Sequence, residues 1–181
     1  MRHLSVLSVV LILMSILVGC GGESQPGCQG LVPPAYKKSV GEPAPDFTLA
    51  TAADKNKTVT LSEATKEHPV LLTFWASWCP ACVEEIPALN EWNKKYVSTG
   101  LQIFGINVQE TREHVLEFQK THPMSYPVLL DEDGHVADKF GLVGLPAAVI
   151  LAKGGEIIYY GFGLPDNPDE VMKEMKREPA R

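Results

Sequence analysis

Apolar and polar positions follow one another along the chain in a pattern that predicts strands and helices in turn. Residues 70–76 form an almost continuous apolar run, which is typical of a central strand buried on both faces. Apolar side chains then recur at helical spacing from 80 to about 96, so a helix is expected directly after this strand. The other predicted elements are strands at 102–108, 126–130, 147–151 and 156–160, and helices at 111–120, at 136–140 and from Pro168 onward.

The order of these elements predicts an α/β fold. Strands alternate with helices, and the chain closes on a hairpin around Lys153-Gly154-Gly155 followed by a last helix. Such an order indicates a mixed central sheet with helices on both faces. The Pro-flanked stretch 41–49 marks where this domain begins, so we predict a single domain over residues 41–181.

The first residues predict an export signal rather than a part of the fold. Arg2 and His3 precede an apolar run over residues 4–18, which is shorter than the roughly 20 residues that a spanning helix needs. An uncleaved anchor is the alternative. The residues Leu17-Val18-Gly19-Cys20 resemble the bacterial lipobox, in which cleavage precedes a cysteine that carries lipid. We therefore expect a signal peptide over 1–19, a lipid on Cys20, and a domain outside the cytoplasm, in the periplasm or on the outer side of the cell membrane.

Residues 20–40 are expected to form a flexible tether between the lipid and the domain. The segment is rich in Gly, Pro, Ser and Gln, a composition too polar and too broken to pack. It contains Cys28, for which two interpretations stay open. The cysteine is an unpaired bystander, or it forms a mixed disulfide with a partner or with the active site.

Composition and charge exclude several classes of protein. Hydrophobic residues make up 45% of the 181-residue chain and charged residues 21%, which excludes a mostly disordered polymer. Sixteen basic against 22 acidic residues give a formal net charge of −6, and such a chain lacks the basic surface of a nucleic-acid-binding protein. Four cysteines are too few for a disulfide-dense miniprotein.

The candidate chemistry lies in Trp78-Cys79-Pro80-Ala81-Cys82. A zinc site needs further ligands at suitable spacing, and haem attachment needs a histidine where this chain has Val83. A buried structural disulfide remains possible. A redox-active dithiol is favoured because the pair follows an apolar strand and opens a helix.

The positions of the two cysteines predict different chemical roles for them. Cys79 is expected to be the N-cap of the helix and Pro80 its first residue, so the positive end of the helix dipole would stabilise a thiolate at Cys79. Cys82 lies one turn further on and should be less exposed. The outer thiolate would then attack or be attacked, and the inner thiol would resolve the mixed disulfide.

The residues around the two cysteines resemble those of a known family. Residues 74–82 (FWASWCPAC), Glu85 and Pro87 resemble the thioredoxin superfamily, and more narrowly its TlpA/ResA-type branch of membrane-anchored thiol-disulfide oxidoreductases. The opening stretch 41–49 and Gly144-Leu145-Pro146 before a late strand match the same branch. The resemblance implies a thioredoxin-like fold and a disulfide oxidoreductase activity.

The resemblance also implies roles for individual residues. Cys79 would be the attacking cysteine and Cys82 the resolving one. Pro146 would be a cis-proline beside the disulfide that holds an extended substrate chain, with Leu145 in the same groove. Glu85 would be an active-site carboxylate that moves protons to and from Cys82, and its i+3 spacing places it on the same helix face.

The remaining site residue is Trp78, which as the neighbour of Cys79 is expected to cover the dithiol and to contact partners. Trp75 is expected to lie in the core. A thiol peroxidase is disfavoured, because such enzymes typically have Thr three residues before the reactive cysteine and this chain has Ala76.

The expected partners are client proteins with cysteines or disulfides. The resemblance implies apocytochrome c as a client and a membrane-embedded thiol transporter as the electron donor. No metal and no cofactor beyond the redox-active disulfide are expected. Pro80-Ala81 does not fix the redox direction, so a disulfide oxidant or isomerase is one alternative to a reductant. A copper-type metal chaperone that uses Cys79 and Cys82 as soft ligands is another.

Overall fold

A computed structural model describes residues 40–174 of the chain. The expected signal peptide 1–19, the lipid site at Cys20 and the cysteine at 28 lie outside the described residues. So does the expected tether 20–40, apart from its last residue. The boundaries of these segments stay predictions.

The main sheet has five strands, which are β3 (Val70–Trp75), β4 (Gln102–Val108), β5 (Val128–Asp131), β6 (Ala147–Leu151) and β7 (Ile157–Gly161). Their spatial order is β5-β4-β3-β6-β7. Strand β4 pairs in parallel with β3 and β5, whereas β6 pairs antiparallel with β3 and β7. This confirms the predicted α/β fold with a mixed central sheet.

Two short antiparallel strands precede this sheet, and five helices complete the described part. The short strands are β1 (Thr48–Ala50) and β2 (Thr58–Thr60). The helices are α1 (Leu61–Thr65), α2 (Pro80–Tyr96), α3 (Arg112–Gln119), α4 (His135–Lys139) and α5 (Pro168–Glu174), with a 3-10 turn at Val97–Thr99 after α2. None of the helices within residues 40–174 combines the length and the apolar character that crossing a bilayer requires.

The middle strand β3 is buried along its whole length, as its apolar sequence predicts. Successive side chains of a strand point to opposite faces of the sheet, so Leu71 and Leu72 enter different clusters. Leu72 belongs to the cluster that includes Val136 of α4, and Leu71 to the cluster that includes Leu89 of α2 and Met172 of α5. The helices therefore cover both faces of the sheet.

Several element boundaries differ from the predictions by one or two residues. The strand predicted at 126–130 is Val128–Asp131, because Pro127 has no N–H and contributes only its carbonyl, which accepts from Gly105 N at 3.0 Å. The helix predicted at 136–140 begins at His135. The buried carboxylate of Asp131 accepts hydrogen bonds from the amides of Val136 and Ala137 and thereby fixes this helix start.

The first three elements were not predicted from the sequence. Strands β1 and β2 have three residues each and helix α1 has five, so none of them is long enough to show a clear hydrophobic period. The final hairpin was predicted, but its second strand runs from Ile157 to Gly161 instead of 156–160, with an irregularity in the pairing between Ile150 and Leu151.

Shortening a side chain in β3 tests the central place of this strand. Leu72→Ala is expected to lower the free energy of unfolding by about 2–5 kcal/mol, because Leu72 is fully buried and the cavity cannot be filled by solvent. Urea denaturation at one pH measures the change. The control is Val97→Ala, whose 58% exposed side chain should matter by less than about 0.5 kcal/mol. Equal losses in the two variants would contradict the packing described here.

Candidate active site

The two motif cysteines form a disulfide at the junction of β3 and α2. Their Cα atoms are 5.3 Å apart. Cys79 has an extended backbone and is the N-cap of α2, where its sulfur accepts a hydrogen bond from the Cys82 amide at 3.2 Å. Pro80 occupies the first helical turn, where a missing N–H has no cost. This arrangement is the one that the sequence predicted.

The helix N-terminus gives Cys79 its chemical character. Free amides and the positive end of the helix dipole stabilise a sulfur anion at this position once the disulfide is reduced. Cys79 is 5% exposed and Cys82 is 2% exposed. The difference has the predicted direction but is small, so access to Cys79 depends on the local surface around it.

The disulfide is enclosed by apolar side chains. Both cysteines belong to one cluster with Trp75, Val115, Val128 and Leu130, and Leu145 packs against its edge. Trp75 is 3% exposed, which confirms its expected place in the core. An apolar shell does not solvate a sulfur anion, so it opposes the stabilisation that the helix N-terminus supplies.

A groove opens beside Trp78, the residue that precedes Cys79. It has a volume of about 210 Å³, and its lining includes Trp78, Gly144 and Leu145. The peptide bond between Leu145 and Pro146 is cis, as the resemblance implies. Trp78 is 69% exposed, so it is available for contact with a partner. The client-binding roles of Trp78, Leu145 and Pro146 stay predictions.

Glu85 lies one helical turn after Cys82 in a partly buried position. One carboxylate oxygen, Oε1, accepts a hydrogen bond from the Leu164 amide at 3.1 Å. The other, Oε2, is buried and has no hydrogen-bond partner among residues 40–174. Burial raises the pKa of the Glu85 carboxyl above its usual value, against the opposing effect of the Leu164 hydrogen bond. A carboxyl in this state keeps its proton to a higher pH than a solvated glutamate does.

A tight turn after β7 closes over Glu85. Gly163 has a φ of +68°, and a Cβ at this position would lie 2.3 Å from Glu85 Oε1. The Gly163 amide donates a hydrogen bond to the Pro146 carbonyl at 3.3 Å, and the next amide, of Leu164, bonds Glu85. Glycine is required here by both its conformation and the close approach of the carboxylate. The same turn therefore contacts the cis-proline and the carboxylate.

Two tyrosines share the surroundings of Glu85. Burial first, and then the negative charge of Glu85, raise the pKa of the Tyr126 hydroxyl. For Tyr159 burial is again the main cause, followed by the charges of Asp166 and Glu85, and its hydroxyl donates to the Gly163 carbonyl at 3.1 Å. These two tyrosines were not predicted as site residues, because they come from separate segments and lie in no motif.

A second carboxylate, Glu110, holds the turn that precedes Cys79. It accepts hydrogen bonds from the Ser77 amide at 2.8 Å, from the Ser77 hydroxyl, and from Asn107 Nδ2 at 2.6 Å. The Ser77 hydroxyl also lies 2.8 Å from His114 Nε2. Burial alone would raise the pKa of Glu110, but the hydrogen bonds from Ser77 and Asn107 outweigh it and hold the pKa below its usual value. Glu110 therefore stays ionised and fixes the backbone beside the disulfide.

Glu110 was not predicted as a site residue either. A usable signal existed, because Ser77 follows β3 and Glu110 follows β4, and the C-terminal ends of parallel neighbours lie at the same sheet edge. Reading this signal requires knowing that β3 and β4 are adjacent.

Two groups of residues could supply metal ligands. The reduced Cys79 and Cys82 are soft donors that suit Cu(I). Asp131, Asp133 and His135 each offer one ligand atom within 4.8 Å of the others. In that second group, however, both Asp131 oxygens already accept amide hydrogen bonds from the start of α4.

Comparison with known proteins agrees with this geometry. The Redoxin family matches residues 39–175. Thiol-disulfide oxidoreductase ResA of Bacillus cereus is 31% identical over 147 residues, which cover 81% of this chain and 82% of that protein. ResA of Bacillus thuringiensis subsp. konkukian is 30% identical over 143 residues, covering 79% of this chain and 81% of that protein. A crystal structure described as thiol:disulfide interchange protein DsbE from Chlorobium tepidum superposes with a TM-score of 0.66 at 28% identity, over 75% of this chain and 94% of that one.

The raised pKa of Glu85 predicts a pH-dependent effect of Glu85→Gln. The folded protein binds the Glu85 proton more tightly than the unfolded chain does, so this stabilisation is complete below about pH 4 and is lost as the pH rises through the folded-state pKa. Relative to the unmutated protein, Glu85→Gln should therefore gain stability between pH 4 and pH 8. Urea denaturation at the two pH values measures the gain.

The matched control for this experiment is Glu84→Gln, since Glu84 is exposed on the same helix. This variant removes one acidic charge from the same helix without changing a buried position, and its unfolding is measured at the same two pH values. If Glu85→Gln behaved like Glu84→Gln, the carboxyl at 85 would not be perturbed by burial.

The role of Glu110 in the turn is tested by Glu110→Gln. An amide in place of the carboxylate brings N–H groups against the donors of Ser77 and Asn107, which should cost about 1–3 kcal/mol of stability. The comparison variant is Glu113→Gln on the exposed surface of α3, which should have little effect. Thermal unfolding of both variants decides, and unchanged stability of Glu110→Gln would refute the turn-holding role.

Proposed function

Because this chain belongs to the Redoxin family of the thioredoxin superfamily, and is a thiol-disulfide oxidoreductase related to ResA, we propose that it reduces disulfides of client proteins outside the cytoplasm. The activity is exchange of disulfides with clients. The reductive direction, the clients and the location are the proposal.

One observation carries the reductive direction, namely the surroundings of the dithiol. A strong oxidant of this fold has a much stabilised reduced form, in which a sulfur anion is favoured. Here the cysteines are enclosed by apolar side chains, and the ionisable side chain one turn along is the acid Glu85. Both features disfavour a sulfur anion, so the reduced form is less stable and gives up its electrons more readily.

The reductive cycle begins with the Cys79 thiolate. It attacks one sulfur of a client disulfide, which forms a mixed disulfide and releases the other client sulfur as a thiolate that takes up a proton. Cys82 then loses its proton and attacks the Cys79 sulfur. The client sulfur that was bound to Cys79 leaves as the second client thiol. The client disulfide is thereby reduced by two electrons, and the Cys79–Cys82 dithiol is oxidised to a disulfide.

Glu85 would serve the second half of this cycle. Its oxygen Oε2 is buried and unpaired among the described residues, and the raised pKa makes the carboxylate a stronger proton acceptor than a solvated glutamate. We assign it the removal of the Cys82 proton before resolution, and its return on reduction. Trp78, Leu145 and Pro146 would hold the client chain beside the disulfide during both steps.

The cellular setting of the proposal comes from the N-terminal sequence and the family resemblance. A signal peptide over 1–19, a lipid on Cys20 and the tether 20–40 would hold the domain at the outer side of a membrane. Electrons would come from a membrane-embedded thiol transporter. The client would be apocytochrome c, whose cysteines must be reduced before haem attachment.

The reduction potential of the Cys79–Cys82 pair tests the direction. The full chain with Cys28→Ser, in detergent, would be equilibrated in thiol/disulfide buffers and its free thiols trapped. A value at or below about −230 mV is expected for a reductant, whereas a value above about −180 mV would indicate an oxidant or isomerase.

The control for this titration is the same chain with Cys79→Ala and Cys82→Ala, which should show no two-electron transition. If the parent chain also showed none, the redox role would be refuted. Titration with Cu(I) would then test the metal-chaperone alternative.

A further inference from the structure

Gln109, the residue after β4, has an unusual backbone conformation. Among residues 40–174 it is the one non-glycine residue with a positive φ, at +58°. Residues other than glycine rarely adopt this left-handed backbone conformation, because their Cβ atom then lies too close to the backbone. The backbone N–H of Gln109 donates a hydrogen bond to the Asp131 carbonyl at 2.9 Å, so the edge of the sheet holds the strained backbone in place.

The side chain of Gln109 lies over Gly134. A Cβ on Gly134 would be 2.9 Å from Gln109 Nε2 and 3.0 Å from its Cγ, so the space for this side chain exists because residue 134 is glycine. The Gln109 side-chain amide has no hydrogen-bond partner within the described residues, and the residue is exposed. The donor and acceptor of this side-chain amide are therefore free to bind another molecule at the surface.

Gln109 shares a groove with the sequence neighbours of Cys79 and Pro146. Gln109 lines the groove of about 210 Å³ that Trp78 and Leu145 also line. Trp78 precedes the attacking Cys79, and Leu145 precedes the cis-proline Pro146. A polypeptide that lies in this groove contacts Trp78, Leu145 and the side-chain amide of Gln109. Backbone strain concentrates at functional sites, and glycine at 109 would remove the strain without loss of an internal hydrogen bond.

We propose that Gln109 is a specificity-determining residue that binds the main chain of the client beside its reacting cysteine. A primary amide has an N–H donor and a C=O acceptor side by side in one plane, so it can pair through two hydrogen bonds with the N–H and C=O of one residue in an extended chain. The residue then favours polypeptide disulfides over small disulfides that have no extended main chain. The inference rests on the proposed function, since it concerns the reduced protein attacking a client.

Two probes with the same leaving group separate main-chain recognition from reactivity. One is a nonapeptide with a single central cysteine, flanked by alanines and joined by a disulfide to 2-nitro-5-thiobenzoate. The other is N-acetylcysteine joined to the same group. The Cys79 thiolate attacks the cysteine sulfur of either probe, the coloured thiobenzoate thiolate leaves, and Cys82 then releases the peptide or N-acetylcysteine as a thiol.

The measured quantity is the ratio of the second-order rate constants for the peptide and for N-acetylcysteine, taken by stopped flow on the full reduced chain with Cys28→Ser. Gln109→Ala and Gln109→Gly both remove the amide, and each should lower this ratio about five-fold. The rate with N-acetylcysteine should stay unchanged. Gln119→Ala, on α3 away from the groove lining, should leave both rates unchanged.

The two variants differ in strain, and this difference guards against a purely structural effect. Gln109→Gly relieves the left-handed backbone and should melt no lower than Gln109→Ala, yet both should lose the same selectivity. An unchanged ratio in both variants would overturn the proposal. The proposal would also be overturned if the loss of the ratio in the two variants followed their melting temperatures, or if both probes reacted more slowly by the same factor.

Failure of the proposed function would look different. If the unmutated reduced chain released no thiobenzoate from either probe, the thiol-exchange premise itself would fail. If it reacted with N-acetylcysteine but the ratio did not depend on residue 109, only the recognition role of Gln109 would be refuted.

Discussion

The active site depends on the hydrogen bond from the Cys82 amide to the Cys79 sulfur. This contact makes one atom both the N-cap of α2 and half of the disulfide, so the helix start and the redox centre cannot be moved independently. The strand before it fixes its place in the molecule. Because β3 is buried on both faces, the chain must leave the sheet where the apolar run ends, and Cys79 follows within four residues of Trp75.

Two carboxylates near this junction have opposite environments and therefore opposite uses. Glu85 is partly buried with one unpaired oxygen, and its raised pKa suits a group that gains and loses a proton. Glu110 accepts three hydrogen bonds from Ser77 and Asn107, and its lowered pKa keeps it charged. One acid can thus follow the chemistry of the cysteines while the other keeps the backbone before Cys79 in position.

The elements that the sequence predicted correctly are those whose signals are local. Helix α2 begins at Pro80 and ends at Tyr96 as expected, because its cap, its first proline and its apolar spacing all lie within one stretch. Glu110, Tyr126 and Gln109 were missed, since their importance comes from the order of strands in the sheet. The cis bond before Pro146 was expected from the family resemblance alone, because the residues around it allow an ordinary trans turn as well.

The glycine turn after β7 limits how this protein can vary in length. Surface loops usually accept insertions because little depends on their exact path. Here one amide of the turn bonds the Pro146 carbonyl and the next bonds Glu85. An added or deleted residue between Gly161 and Leu164 would shift one amide away from its acceptor, so relatives that keep this arrangement must keep the spacing. The β7–α5 connection is therefore a poor place for an epitope tag, a domain fusion or a circular permutation.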